Sequence, residues 1–168
     1  MNVIFLDFDG VINTFHDGSD EIKEKRIKIL SEICKEYNCK VVIEASIKRT
    51  IDEETLESSE EWVNKIIKLF RKYEIDCIGI TPSIGKKLST SLETPIWKED
   101  EIEQYLSQHP EIDHLCIIDD DDLAPRNSDL NRYKDYLVTP LFYSTNPEEE
   151  GLLEIHKNKV GEILKKKR

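Results

Sequence analysis

Apolar residues gather in short continuous runs, and between the runs they recur at helical spacing. Val3-Ile4-Phe5-Leu6 is an unbroken run and predicts a buried strand. Ser19 then reads as the cap of a helix whose apolar stripe is Ile22, Ile27, Leu30, Ile33, Cys34 and Tyr37. Lys40–Ile43 is a second, β-branched strand. Ser58 and Glu61 make a capping-box signature before Trp62, Ile66, Leu69, Phe70 and Tyr73. Ile75–Thr81 predicts a third strand closed by Pro82, and Asp100–Gln108 a helix stopped at His109-Pro110. His114–Ile118 is a fourth strand and Tyr136–Val138 a short fifth. An amphipathic helix fills the chain from about Glu150 to its end, where Lys165-Lys166-Lys167-Arg168 suits the negative end of the helix dipole.

Regular alternation of strand and helix predicts an α/β fold with a doubly wound, mainly parallel five-stranded sheet. At 168 residues the chain is read as one domain, residues 1–168, large enough to bury a core without staples. Charged residues make up 35% and the net charge is −11, which argues against a broad grip on nucleic acid. Cys34, Cys39, Cys77 and Cys116 lack paired metal-ligand spacing and read as structural thiols. His16, His109, His114 and His156 show no ligand spacing either. No apolar run approaches a membrane span, and the short N-terminal run is interrupted by acids, so the expected setting is cytoplasmic, with no membrane partner.

Two strands end in acids. The first runs into Asp7-Phe8-Asp9-Gly10-Val11, the fourth into Asp119-Asp120-Asp121-Asp122. Carboxylates at the end of a core strand repel one another unless a cation sits between them. In open parallel sheets, ligands bind beyond the carboxyl ends of the strands, so the two clusters are expected to converge there.

The first of these segments resembles the opening motif of the haloacid dehalogenase-like (HAD) phosphohydrolases. The resemblance implies a HAD-like, Rossmannoid fold and a Mg²⁺-dependent phosphatase. Asp7 is then the nucleophile that forms an aspartyl-phosphate, and Asp9 the general acid/base. Both roles are chemically sound: a carboxylate can split one hard displacement into two, and a second carboxyl can move the proton. The implied metal ligands are Asp7, the backbone carbonyl of Asp9, Asp120 directly and Asp119 through water. Mg²⁺ needs only a few such oxygens.

Lys98-Glu99-Asp100-Glu101-Ile102 resembles an Arg-Gly-x-Glu-Ile segment of one branch, the capless HAD domain of Swiss Army Knife RNA-repair proteins. That resemblance extends to Thr81-Pro82, Thr145-Asn146-Pro147 and Gly151-Leu152. It makes Lys98 the catalytic cation, with Lys86 and Lys87 as competitors. The implied phosphate-binding set is Gly10, Ser46 and Lys48. The branch places Ser or Thr directly after the second strand and an Arg four residues on; this chain has Glu44 and Lys48. A carboxylate there opposes phosphate. Either Glu44 turns away or pairs with Lys48 or Lys98, leaving Ser46 to donate, or the site is degraded to a binding domain. Between the first two strands there is room for one helix and a short flap near Thr14–Gly18, not for a cap domain. An open site admits bulky phosphorylated substrates such as phosphoproteins or nucleic-acid ends.

Overall fold

The structure, a computed structural model, describes residues 1–17, 20–84, 98–121 and 130–168. Ser19, Lys86, Lys87 and Asp122 lie outside the described residues, as does the side chain of Ile22. Nine elements position the site: β1 (Asn2–Leu6), α1 (Asp20–Tyr37), β2 (Cys39–Ile43), α2 (Glu61–Lys72), β3 (Cys77–Ile80), α3 (Lys98–Gln108), β4 (His114–Ile118), β5 (Leu137–Val138) and α4 (His156–Leu164). The five strands form one parallel sheet in the order β3-β2-β1-β4-β5. The chain winds outward from β1 through β2 to β3, then crosses back to β4 on the other side. The switch point therefore lies between β1 and β4, where such sheets bind ligands.

Period-two alternation sorts the strand side chains onto two faces. Ile4, Leu6, Val41, Ile43, Cys116 and Ile118 join the core under α1, α2 and α4. Val3, Phe5, Val42, Leu115, Ile117 and Leu137 join a second core with Ile102, Tyr105 and Leu106 of α3. Helices on both faces make the fold doubly wound, as the alternation predicts. β3 is an edge strand and only half buried, and its ladder is shorter than the run Ile75–Thr81.

Other boundaries also differ from the sequence reading, and α3 starts at Lys98 rather than Asp100. α2 begins at Glu61, and its preceding residue, Glu60, makes no side-chain cap. The Ser58 hydroxyl instead accepts from the Glu60 N–H, and Asn64 reaches back to both backbone groups of Ser58. The cap is thus moved outside the helix by two residues. α4 begins at His156 rather than Glu150, because residues 150–152 pair elsewhere: Gly151 N–H bonds Leu141 O at 2.8 Å and Leu152 N–H bonds Val11 O at 2.9 Å. Gly151 has φ +72°, and a Cβ there would stand 2.4 Å from Arg26 Nε. The polar stretch before β5 folds in part, since Asn131–Tyr136 is a 3₁₀ turn that buries Tyr133.

Candidate active site

The ladder of the sheet continues one residue past β1, β2, β3 and β4. Thr81 N–H bonds Ile43 O, Glu44 N–H bonds Leu6 O, Asp7 N–H bonds Ile118 O, and Asp119 N–H bonds Val138 O, at 2.8–3.1 Å. Leu6, Ile43, Ile80 and Ile118 all pack on the α1/α2/α4 face. Alternation then turns the next residue of each strand to the α3 face. The result is a row of four buried polar side chains, one per strand: Thr81, Glu44, Asp7 and Asp119.

Two lysines neutralise this row. Lys98, the first residue of α3, donates to Asp7 Oδ2 at 2.7 Å and to Asp119 Oδ2 at 2.6 Å. Burial by itself disfavours its ammonium, but Asp119 and Asp7 outweigh that and hold its pKa above the ordinary value. Lys48, in the 3₁₀ turn Ser46–Thr50, is only 3% exposed. It donates to both oxygens of Glu44 at 3.0 Å, to Thr81 Oγ1 at 2.7 Å and to Glu101 Oε2 of α3. Thr81 in turn donates to Glu44.

Asp7 is the most perturbed of the acids at the switch point. Burial pushes its carboxyl up, Lys98 pulls it down and Asp119 pushes it up again, leaving it at about 7. The Phe8 N–H also bonds Asp7 Oδ1 at 2.7 Å. Asp119 spends its second oxygen on the Asp121 N–H. Asp120 is half-buried, and its carboxyl is raised by burial and by Asp119. Carboxylate oxygens of Asp7, Asp119 and Asp120 lie within 4.8 Å of one another. Three hard oxygen donors at that spacing suit Mg²⁺. Gly10 closes the site against Asp120: its φ is +78°, and a Cβ would come within 2.3 Å of Asp120 Cβ and Cγ.

The predicted residues therefore divide. Asp7, Asp119, Asp120 and Lys98 are brought into one cluster, with Gly10 against it. Asp9 is exposed on the loop beyond, its carboxylate 3.3 Å from Asn13 Nδ2 and outside the three-acid group. Ser46 is exposed at the start of the turn after β2. Lys48 is directed inward to Glu44, Thr81 and Glu101, so its ammonium is spent on the protein rather than turned toward the acid cluster. Glu44 is paired with Lys48, one of the two arrangements that spare a phosphate its charge. Burial still lifts its carboxyl to about 8, against the pull of Lys48.

The sequence reading missed Glu101 as a second carboxylate partner of Lys48, beside Glu44. It also missed the frame of the flap. The buried guanidinium of Arg26 donates to both oxygens of Asp17, to Ile12 O and to Thr14 Oγ1, at 2.7–2.9 Å. Glu150, buried as well, accepts from Ser144 N–H at 2.8 Å and from His16 N–H at 3.2 Å, and its Oε1 lies 2.6 Å from His16 Nδ1. Burial pushes the Glu150 carboxyl up, but these bonds outweigh it and hold it at about 2. None of these residues stands in a recognisable spacing; only the fold joins positions 14–17, 26 and 150.

No curated protein and no solved structure matches this chain. Among the described residues no helix is long and apolar enough to cross a membrane. The profile of one family, described as the HAD domain in Swiss Army Knife RNA repair proteins, matches residues 3–143. That span takes in all five strands but for the first residue of β1, and the whole row Thr81, Glu44, Asp7 and Asp119, and the chain belongs to this family of HAD domains.

Proposed function

We propose that the protein is a Mg²⁺-dependent phosphomonoester hydrolase. One observation carries the reading: the carboxylate of Asp7 sits at the switch point of the sheet, bridged by Lys98 to Asp119 and within 4.8 Å of Asp120. An Asp7 oxygen attacks phosphorus and the bond to the leaving oxygen breaks, with Asp9 giving that oxygen a proton. Water then attacks the aspartyl-phosphate, Asp9 takes the proton, and Asp7 is freed. Lys98 opposes the effect of burial on Asp7, favouring its ionised form, and stabilises charge on the phosphoryl oxygens. Asp7, Asp119 and Asp120 would hold the Mg²⁺, which when bound neutralises the acids and the phosphate together. Ser46 stands exposed beside the row and is our choice for a phosphate hydrogen bond.

The pairing of Glu44 with Lys48 favours an adapted site over a degraded one, because the charge is engaged within the protein. The described loops between strands carry no second domain, so the site is taken to be open and suited to bulky phosphate esters. The family description, RNA repair, makes oligonucleotide ends the first candidates. Four free cysteines suit a reducing, cytoplasmic setting. The test is hydrolysis of an aryl phosphate with and without Mg²⁺, followed by 3′- and 5′-phosphorylated oligonucleotides, free nucleotides and phosphopeptides. Hydrolysis that needs Mg²⁺ and is lost in Asp7→Asn is expected. No hydrolysis of any of these, or hydrolysis unaffected by Asp7→Asn, overturns the proposal.

A further inference from the structure

Lys98 is the first residue of α3, and a helix end has no backbone ladder of its own to hold it. Its ammonium is therefore placed by whatever fixes the first turn of α3. Glu101 lies in that turn, and it is buried. Its two oxygens reach different parts of the chain: Oε2 to Lys48 Nζ, Oε1 to the Ile84 N–H at 3.1 Å. Lys48 continues to Glu44 and Thr81, which extend β2 and β3. A continuous set of bonds thus runs, buried, from the ends of β2 and β3 through Lys48 and Glu101 into α3, and, partly buried, from α3 through Lys98 to Asp7 and Asp119.

Other contacts hold α3 less directly. Ile102, Tyr105 and Leu106 pack the body of α3, one to two turns beyond Lys98, into the core. Arg132 bonds Glu99 and Asp100 in the first turn, yet that pair is half-exposed and screened by water. The Lys48–Glu101 pair is the shielded one.

We propose that Lys48 and Glu101 are a positioning pair, which sets the first turn of α3 so that Lys98 stands between Asp7 and Asp119, and that Lys48 does not itself bind phosphate. The logic is geometric. Lys98 must meet two carboxylates on adjacent strands at once, and a helix shifted by an ångström loses one of them. Anchoring the next carboxylate of the same turn to the neighbouring strands fixes that distance. A misplacement of this size at a reacting centre costs about 100-fold in rate.

Two measurements test the pair, and only the second rests on the phosphatase reading. The first is the ¹H–¹⁵N resonance of the Lys98 ammonium, assigned by its loss in Lys98→Met. An ammonium held by two buried carboxylates exchanges slowly and is visible. Glu101→Gln, which keeps the shape and removes the charge, is expected to broaden or abolish that resonance. The second measurement is kinetic. Glu101→Gln is expected to lower kcat by about 10- to 100-fold with KM nearly unchanged, because the pair acts through Lys98 and not on the ester. Lys48→Met leaves Glu44 and Glu101 without their cation and can fail to fold, so Glu101→Gln carries the test. Where Lys48→Met folds, the double variant should be no worse than the worse single one, and Lys48→Arg should recover part of the loss.

A Lys98 resonance and a kcat both unchanged in Glu101→Gln overturn the proposal. So does a Lys48→Met variant with raised KM and unaltered kcat, which assigns Lys48 to the phosphate. If the protein hydrolyses no phosphate ester but the resonance is lost in Glu101→Gln, the phosphatase reading falls and the positioning pair stands.

Discussion

Replacing Asp7 by Asn should make the metal-free protein more stable while ending its chemistry. Burial beside Asp119 holds the Asp7 carboxyl at about 7, against an ordinary value of 3.8, even with Lys98 in contact. The folded state therefore binds the Asp7 proton more tightly than the unfolded chain does. Between those two values the folded protein keeps the proton and the unfolded chain has lost it, so stability falls as pH rises. The shift is about 3 units, at about 1.4 kcal/mol each, so ionised Asp7 costs the fold about 4 kcal/mol above pH 7. Asn resembles the protonated acid and carries no such penalty. Urea unfolding with a chelator present is the assay. Asp7→Asn should exceed the unaltered protein by about 4 kcal/mol at pH 8, and by less than about 1 kcal/mol at pH 4. For a chain of this length that corresponds to roughly 10 °C in Tm at pH 8. Glu44 is also raised, but it is common to both proteins and drops out of the difference. Mg²⁺ should narrow the gap by favouring ionised Asp7. A variant less stable than the parent at pH 8, or an advantage equal at pH 4 and pH 8, would refute this account of the site.

Three further outcomes are expected. Gly10→Ala should weaken Mg²⁺ binding by calorimetry while the far-UV spectrum is kept, since its Cβ would overlap Asp120 and its φ is positive. Arg26→Met leaves the Asp17 carboxylate, bonded still by Thr14, without its counter-charge and should cost about 3–5 kcal/mol in urea unfolding; a loss under 1 kcal/mol would show that the flap does not depend on that pair. Ser46→Ala should raise the inhibition constant of inorganic phosphate severalfold; an unchanged constant would remove Ser46 from the phosphate site.

The sequence by itself determined the architecture and the acids. Continuous apolar runs of four or five residues are too short for core helices and suit strands covered on both faces, and their alternation with helical stripes points to a parallel, doubly wound sheet. Acids that end such runs gather at one end of that sheet, which is why Asp7, Asp119 and Asp120 were legible; Lys98 was legible only through the resemblance of Lys98–Ile102 to the family segment. What the sequence left open was the destination of each side chain past a strand end. Glu44 and Lys48 stand four apart, and the sequence offered both a pairing between them and a phosphate role for Lys48; the tertiary structure takes the pairing and adds Thr81 and Glu101 to it. Strand register decides this: Glu44 faces the same side as Thr81 and Asp7 only because Ile43, Ile80 and Leu6 are level across three strands. Glu101 completes the network from 53 residues away in sequence, and Arg26, Asp17 and Glu150 build the flap in the same manner. A buried charge is stable only beside its partner. Spacing shows partners within one helix, but across a sheet they become neighbours only when the chain has folded.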